Sequence, residues 1–239
     1  MIRADKLFYT PDYDGKSGLC MLPEDESTHA IRVLRMQAGD KLHLVDGRGG
    51  LFEAEITNPH QKRCEVRILN AVFNYEKRPF RLHIAIAPTK MNERMEFFLE
   101  KATEIGIDEI TPLLCQRSER KELKTARMEK ILVAAMKQSV KAYLPKLNEI
   151  CAFEKFIHRA TAEQKFIAHC SEGEKLLLKN ACKPTTEVLI LIGPEGDFSE
   201  AEVALAREAG FVPVSLGNSR LRTETAGIVA CHTVTLINE

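Results

Sequence analysis

The amino-acid sequence predicts an α/β protein in which a small β-barrel precedes a larger domain with a mostly parallel sheet. Up to about Val72, apolar residues recur at every second position, which is typical of half-buried strands. Beyond Pro79, short apolar runs alternate with segments in which apolar residues have helical spacing. Between Val188 and Gly227, a strand, a glycine-containing loop and a helix occur twice in succession.

A β-hairpin is the clearest element of the first domain. Lys41–Asp46 and Leu51–Thr57 alternate in polarity and flank the glycine-rich turn Gly47–Gly50. Cys64–Leu69 alternates again, and a short helix is expected around Glu26–Leu34. Closure into a barrel is favoured because it removes exposed sheet edges from so short a β segment.

The polar stretch Asn74–Pro79 separates this region from an alternating α/β pattern, so we expect domains at residues 1–73 and 80–239. The predicted elements that follow are a strand at Leu82–Ala87, a helix from Met91 to Ile105 ended by Gly106, a strand at Glu109–Cys115, a helix from Met128 to Ser139 stopped by Pro145, a short helix at Phe153–Arg159 and a strand at Lys165–His169.

The doubled unit predicts a ligand crevice. Its strands are Val188–Ile192 and Phe211–Leu216, and each runs directly into a loop that contains glycine. Ser199 and Glu202 form a capping-box pattern at the start of the helix between them, and a final helix begins near Thr223. Ligands of parallel α/β sheets bind at the carboxyl ends of the strands, where these loops lie.

Composition excludes several classes of protein. Hydrophobic residues make up 44% and charged residues 28% of the 239, which is ordinary for a soluble globular chain. No apolar run reaches the length of a membrane span, so we expect a cytoplasmic protein without a membrane partner. The seven cysteines include no C-x-x-C pair and the seven histidines have no ligand spacing, which favours buried thiols and no metal site.

Charge is unevenly distributed in a chain of zero net charge. Nine Lys or Arg and three Glu between Pro112 and Lys146 give a net charge of +6, whereas Glu187–Glu239 carries −5. The basic segment is either a solvated helix face or a stripe that contacts nucleic-acid phosphates.

The two glycine-containing loops have both structural and functional interpretations. Gly193–Gly196 lacks the spacing of a dinucleotide or Walker-type phosphate loop, and Glu195 suits a cofactor that offers amine and hydroxyl donors. The structural interpretation of Gly193–Gly196 is a tight strand-to-helix turn. Gly217–Arg222 is otherwise the entrance to a helix capped by Thr223 or Thr225. Structure and function are compatible in both loops.

Several motifs resemble those of the bacterial 16S rRNA uridine N3-methyltransferases, a family of the SPOUT class. They are GPEGDFS at Gly193–Ser199, Leu216-Gly217, LRTETA at Leu221–Ala226, HAIRVLR at His29–Arg35 with Gly39-Asp40, and KATEIG at Lys101–Gly106 with Ile110–Pro112 and Arg117-Ser118. The resemblance covers nearly the whole chain. Two positions depart from the family pattern: Asp197 stands where a glycine-like residue is usual, and Lys141 where an arginine is usual.

The resemblance implies an N-terminal PUA-like β-barrel for RNA and a C-terminal SPOUT-type α/β domain with a deep trefoil knot. It also implies S-adenosylmethionine as cofactor, 16S rRNA within the small ribosomal subunit as partner, and a homodimer. The implied cofactor-binding residues are Leu191, Ile192, Gly193, Glu195, Gly196, Leu216, Gly217, Leu221 and Arg222. The candidate RNA-binding residues are Arg32, Arg35, Arg117, Arg120, Lys137 and Lys141.

Methylation at uracil N3 needs its proton removed or the developing anion stabilised. Arg222 is our candidate for the electrostatic role, because it is always charged and adjoins the second loop. Glu224 is either the proton acceptor or an orienting group. Two rival classes remain at this point: an RNA-binding protein with a vestigial crevice, and a nucleotide-dependent α/β enzyme.

Overall fold

The computed structural model describes residues 3–170 and 173–239, which form two compact units. One unit comprises Met1–Lys77 and Val133–Leu144, and the other comprises Arg78–Leu132 and Pro145–Glu239. The division after Lys77 lies within the polar stretch expected to separate two domains. The assignment of Val133–Leu144 to the first unit was not expected from the sequence. Four residues of the two predicted domains, at 1, 2, 171 and 172, lie outside the described part of the chain.

The first unit is a five-stranded half-barrel. Its elements are a 3₁₀ turn at Ala4–Lys6, β1 Leu7–Tyr9, β2 Leu19–Met21, α1 Glu24–Thr28, a π-helical turn at His29–Val33, β3 Lys41–Val45, β4 Leu51–Asn58 and β5 Glu65–Val72. The strand order is β1-β3-β4-β5-β2, with β1 parallel to β3 and the other pairs antiparallel. The predicted β3–β4 hairpin is therefore confirmed, whereas the short strands β1 and β2 were not predicted.

Alternation along these strands builds the core of the first unit. Leu42, Leu44, Phe52, Ala54 and Ile56 are buried on one face and pack together. A second cluster of the same unit joins β1 to the segment Val133–Leu144, whose contributing residues are Met136 and Ala142. The segment lies far along the chain from β1, so only the fold brings it into this core.

The second unit is built on a parallel sheet. Its elements are β6 Arg81–Ile86, α2 Asn92–Ile105, β7 Glu109–Leu114, α3 Thr125–Gln138 (which continues into the first unit from Val133), β8 Lys146–Leu147, β9 Cys151–Ala152, α4 Phe153–Ile157, β10 Gln164–Ala168, β11 Leu176–Leu177, α5 Leu178–Ala181, β12 Glu187–Ile192, α6 Glu200–Glu208, β13 Val212–Ser215 and α7 Thr223–Ile237. The order is β11-β13-β10-β12-β6-β7-β8, with β9 paired to β7, and every pair is parallel.

The helices and strands predicted for this unit are confirmed within a few residues, but α3 ends at Gln138, so the prediction that Pro145 stops it is wrong. Gly106 ends α2 with a φ of +125°, and Ser199 and Glu202 form the complete capping box of α6. The two strands of the doubled unit, β12 and β13, are not neighbours, because β10 pairs with both of them. The two-residue strands β8, β9 and β11 were not predicted, since so short a segment has no periodicity to read.

Helices cover both faces of the parallel sheet. One face, with Ala85, Leu189 and Leu191, packs under α4 and α6. The other face packs under α7, which in turn contacts α2. Both faces are thus apolar, which explains why the central strands read as continuous hydrophobic runs rather than alternating ones.

Gly227 of α7 lies against Phe98 and Ile86, and we predict that Gly227→Ala destabilises the protein. A Cβ at this position would lie 2.6 Å from Cε2 of Phe98 and 3.0 Å from Cδ1 of Ile86, so α7 must move or the ring must turn. Overpacking of this kind typically costs about 1–3 kcal/mol. Chemical denaturation measures the loss. The matched control is Ala226→Gly, a change at the half-buried preceding residue of the same helix, which should cost about 1 kcal/mol of helix propensity. An equal or smaller loss in Gly227→Ala would contradict the packing argument.

Candidate active site

A crevice lies at the carboxyl edge of the parallel sheet, where the loops after β10, β12 and β13 meet. Its volume is about 710 Å³, and both apolar and charged side chains line it. The lining residues are Arg117, Ala168, His169, Cys170, Lys175, Asp197, Phe198, Glu200, Val214, Ser215, Leu216, Gly217, Asn218, Ser219, Arg220, Leu221 and Ala226. The crevice lies where parallel sheets bind their ligands, as the doubled unit predicted.

Hydrogen bonds connect the loops around the crevice. The Lys90 backbone N–H, after β6, donates to Glu195 Oε1 at 3.0 Å. The Arg120 guanidinium, after β7, donates to the carbonyl oxygens of Thr89 and Lys90 at 3.2 and 2.6 Å. These hydrogen bonds therefore link the loops that follow β6, β7 and β12.

Arg117 explains the close fit of the first glycine-containing loop. Its guanidinium donates to the carbonyl of Gly196 at 2.9 Å. A Cβ on Gly196 would stand 3.3 Å from Cβ of Arg117, a tight contact on the backbone side of the pair. Because Gly196 has no side chain, Arg117 can lie close to the loop and donate a hydrogen bond to its backbone.

Asp197 occupies the one position of the first loop that has a left-handed backbone. Its φ is +62°, a region in which aspartate is among the better tolerated non-glycine residues. Its Oδ2 accepts a hydrogen bond from the backbone N–H of Cys170 at 2.8 Å. The Asp197 side chain therefore joins the first loop to the loop after β10.

We predict that Asp197→Gly loosens this junction and lowers stability by about 1 kcal/mol. Glycine relieves the left-handed strain but loses the charged hydrogen bond and raises the entropy of the unfolded chain. Hydrogen exchange at the Cys170 amide should quicken in Asp197→Gly and much less in Asp197→Asn, which keeps an acceptor oxygen. Unchanged protection of that amide in Asp197→Gly would refute the assignment.

The second loop is fixed to the first by Thr223. Its hydroxyl donates to the carbonyl of Gly193 at 3.1 Å, across thirty positions of sequence. The expected role of Thr223 or Thr225 as helix cap is wrong, because Arg222 is the N-cap residue of α7 and no side chain caps that helix end. Gly217 has a φ of +132°, which only glycine adopts readily, so the turn itself requires it.

The predicted cofactor residues divide into three groups. Leu216, Gly217 and Leu221 line the crevice. Leu191 and Ile192 are buried at the end of β12. The remaining four, Gly193, Glu195, Gly196 and Arg222, lie in the two loops but outside the crevice lining.

The two candidate catalytic residues have contrasting surroundings. Arg222 is exposed, and within the described residues its guanidinium has no hydrogen-bond or ion-pair partner. Glu224 is only 6% exposed and does not line the crevice. Its Oε1 lies 3.9 Å from Nε of Arg94 in α2, and its Oε2 is buried without a hydrogen bond to any described residue. Arg94 was not identified from the sequence, because nothing in its spacing relates it to α7.

His169 is the second residue that sequence reasoning missed. It directly follows β10, is 8% exposed and lines the crevice. Neither ring nitrogen has a hydrogen-bond partner in the described part of the chain. Burial, and then the charge of Lys175, lowers its pKa below the ordinary histidine value, so its imidazole is neutral at pH 7. A lone histidine after an apolar strand carries no sequence signal for this environment.

Lys137, a candidate RNA contact, forms an ion pair within the first unit. Its ammonium lies 2.6 and 2.7 Å from the two carboxylate oxygens of Glu26. The Lys137 side chain is 19% and that of Glu26 8% exposed. The ion pair stabilises the unit and leaves the ammonium less free to bind a phosphate than an unpaired lysine would be.

The other basic candidates of the first unit differ in exposure. Arg32 is exposed, and its Nε donates to Oε1 of Gln61 at 2.8 Å. Arg35 is exposed and has no partner among the described residues. Lys141 is half-buried and already engaged within the protein. Arg35 is therefore the candidate of this unit with the most freedom to bind a phosphate.

A second cavity, of about 770 Å³, lies on the sheet near the amino ends of β6, β7 and β12. Three of its lining residues form ion pairs, Arg81 with both Glu109 and Glu187. Glu109 also pairs with Lys146, which lies outside the lining. His83, which hydrogen-bonds Thr111 at 2.8 Å, has its pKa lowered to about 4 by burial. None of the predicted site residues lies in this cavity.

The described residues contain no group of three or more His, Cys, Asp or Glu able to hold a metal ion. Five of the seven cysteines are buried, and burial raises the pKa of the Cys20, Cys64 and Cys182 thiols to about 11. Across residues 3–170 and 173–239, no helix is both long and apolar enough to cross a membrane.

The chain matches the models of two RNA methyltransferase domains. The family model described as an RNA methyltransferase domain matches residues 76–235, and that of an RNA methyltransferase PUA domain matches residues 22–69. A ribosomal RNA small subunit methyltransferase E from Buchnera aphidicola is 30% identical over 214 residues, which cover 86% of this chain and 83% of the relative. The chain belongs to the ribosomal RNA small subunit methyltransferase E family.

Solved structures agree with this assignment. A probable rRNA-methyltransferase from Porphyromonas gingivalis is 45% identical, with a TM-score of 0.91 and 98% of each chain covered. A ribosomal RNA small subunit methyltransferase E from Neisseria gonorrhoeae, bound to S-adenosyl methionine, is 28% identical, with a TM-score of 0.88 and 98% of each chain covered. The chain therefore shares its fold with a cofactor-bound member of its family.

Proposed function

We propose that the protein uses S-adenosylmethionine to methylate N3 of a specific uridine in 16S rRNA. The observation that carries this proposal is the crevice at the carboxyl edge of the sheet, walled by the two glycine-containing loops, in a chain of this methyltransferase family. The volume of about 710 Å³ is within the range of roughly 300–1,000 Å³ common for cofactor sites.

The residues present fit this cofactor. Phe198, Val214 and Leu216 supply apolar walls, while backbone groups of the loops and the unpartnered His169 supply polar contacts. Leu191, Ile192, Gly193, Glu195, Gly196, Gly217 and Leu221 complete the proposed binding set. When bound, the cofactor supplies an electrophilic methyl group. That β10 lies between β12 and β13, and that Thr223 ties Gly193 to the second loop, supports a path in which the two loops wrap the cofactor as a deep trefoil knot.

Arg222 is the residue we assign to stabilisation of the uracil anion. Thr223, its neighbour, is anchored to Gly193, so Arg222 stands at the junction of the two loops with a guanidinium that no described residue engages. A positive charge placed there stabilises the negative charge that develops as N3 loses its proton.

Glu224 fits the orienting role better than that of proton acceptor. Its carboxylate faces Arg94 of α2 rather than the crevice, at 3.9 Å. It follows Thr223 in the first turn of α7, where a negative charge interacts favourably with the helix dipole. We propose that it holds the start of α7, and so Arg222, in position.

The RNA is proposed to lie across basic residues of the protein, with the target uridine turned out of its stack. Arg35, Arg32 and Lys141 in the first unit, and Arg117 and Arg120 in the second, are the proposed contacts. Arg117 and Arg120 use some of their donors on loop carbonyls, and a guanidinium has five donors in all. We further propose a homodimer that acts in the cytoplasm on the small ribosomal subunit.

Methyl transfer from labelled S-adenosylmethionine to small ribosomal subunits, followed by mapping of the modified nucleotide, tests the function. We expect one modified uridine, carrying the label at N3. Naked 16S rRNA serves as the parallel substrate. Label on another base, or on another atom of uracil, would contradict the proposed specificity, and no transfer in the presence of tight cofactor binding would favour a binding protein instead.

A further inference from the structure

The imidazole of His169 has an environment that a purely structural role does not explain. His169 is only 8% exposed, yet neither of its ring nitrogens has a hydrogen-bond partner in the described residues. A buried polar group without a partner destabilises a fold, so natural structures contain few of them. Such a group often marks a place where a ligand supplies the missing partner.

The register of the sheet places His169 between the two loops of the crevice. Ala168 pairs with Ile192 of β12 on one side and with Val214 of β13 on the other. His169 is the next residue, so it leaves the sheet between Gly193 and Ser215, and it lines the crevice together with its neighbours in the chain. No other histidine of the described chain lines this crevice.

The chemistry of the site favours an uncharged partner with both donors and acceptors. A neutral imidazole offers one N–H donor and one acceptor nitrogen. Burial and Lys175 lower the pKa of His169 while Asp197 opposes them, so the neutral form prevails at pH 7. The crevice wall around it includes Ala168, Phe198 and Val214, which are apolar. The adenine and ribose of S-adenosylmethionine combine a flat apolar surface with hydroxyl, amine and ring-nitrogen groups, whereas its amino-acid end is doubly charged.

We propose that His169 is a specificity residue for the cofactor, and that its imidazole hydrogen-bonds the nucleoside half of S-adenosylmethionine. The inference rests on the proposed function. Since the ring nitrogens are closed off from solvent in the free protein, the His169 side chain turns towards the crevice when the nucleoside enters. The hydrogen bond from the Cys170 backbone to Asp197 fixes the main chain directly after His169, so that this turn need not move the loop.

Calorimetric titration with three probes tests the inference on the full-length protein: S-adenosylmethionine, S-adenosylhomocysteine and 5′-methylthioadenosine, which lacks the amino-acid end. We expect His169→Phe to weaken all three by about tenfold, because one buried hydrogen bond to a ligand is worth about that factor. His169→Gln, which keeps a donor and an acceptor, should retain part of the affinity. His158→Phe, at an exposed histidine outside the crevice, is the matched control and should leave all three affinities unchanged.

The melting temperature of the ligand-free protein separates this role from a structural one. Removal of an unpartnered buried polar group should leave the free protein as stable as the wild type or more so. Reduced stability with unchanged affinities would show that His169 only supports the fold, and would overturn the inference. A loss confined to the two probes with an amino-acid end would likewise overturn the nucleoside assignment. If the wild-type protein bound none of the three, the proposed function would fail as well.

Discussion

Arg222→Ala is expected to reduce kcat by about a hundred- to a thousandfold while changing the affinity for S-adenosylmethionine by no more than a few fold. A donor aimed at developing charge is typically worth this much in turnover. Arg222 itself does not line the crevice, so its loss should leave the cofactor contacts in place. Single-turnover methylation of small ribosomal subunits at saturating cofactor, together with calorimetric titration of the cofactor, measures the two quantities separately.

Two variants sharpen this test. Arg222→Lys keeps the charge but loses the planar fork, and should recover only part of the activity. Arg220→Ala removes an exposed arginine two positions earlier that does line the crevice, and should affect cofactor affinity more than turnover. If Arg222→Ala lost cofactor binding yet turned over normally at saturation, the electrostatic role would have to be given up.

Lys137→Met is expected to destabilise the protein by about 3 kcal/mol. The change leaves the Glu26 carboxylate, whose side chain is 8% exposed, without its cation. Breaking one half of a buried ion pair costs about 3–5 kcal/mol, largely through the charge left behind. Chemical denaturation of the full chain measures the effect, with the transition of the first unit followed by hydrogen exchange in β3 and β4.

The double variant Lys137→Met, Glu26→Gln is the control for this prediction. It removes both charges but keeps an oxygen for the backbone N–H of Tyr9, which donates to Glu26 Oε1 at 3.1 Å. Stability should therefore return most of the way to the wild type. A Lys137→Met protein of normal stability with weakened rRNA binding would instead support the interpretation of Lys137 as a phosphate contact.

The contrast between Lys137 and Arg35 shows why a basic segment is a weak guide to RNA contacts. Both side chains are cationic, and the spacing of charged residues in the sequence does not show which of them is free to bind RNA. In the folded unit, Lys137 finds a carboxylate 111 positions away, whereas Arg35 has no partner among the described residues. Which cations remain available is decided by long-range packing, and charge counts contain no information about that.

Local sequence determined the elements that depend on neighbouring residues. The β3–β4 hairpin follows from alternation and a glycine turn, and the capping box of α6 from two residues three positions apart. The place of the crevice also follows, because loops after parallel strands emerge at one edge of the sheet. The sequence motifs indicate the same family that the family models and the relatives show.

Tertiary structure alone decided what the crevice contains. The insertion of β10 between β12 and β13 brings His169 between the two glycine-containing loops. Arg94 lies beside Glu224, which is 130 positions away in the chain. Thr223 donates a hydrogen bond to Gly193, which is 30 positions away. Periodicity and capping rules extend over a few residues, because they arise from contacts within one helix or strand. Contacts between elements depend on strand order, and strand order has no local signature in the chain.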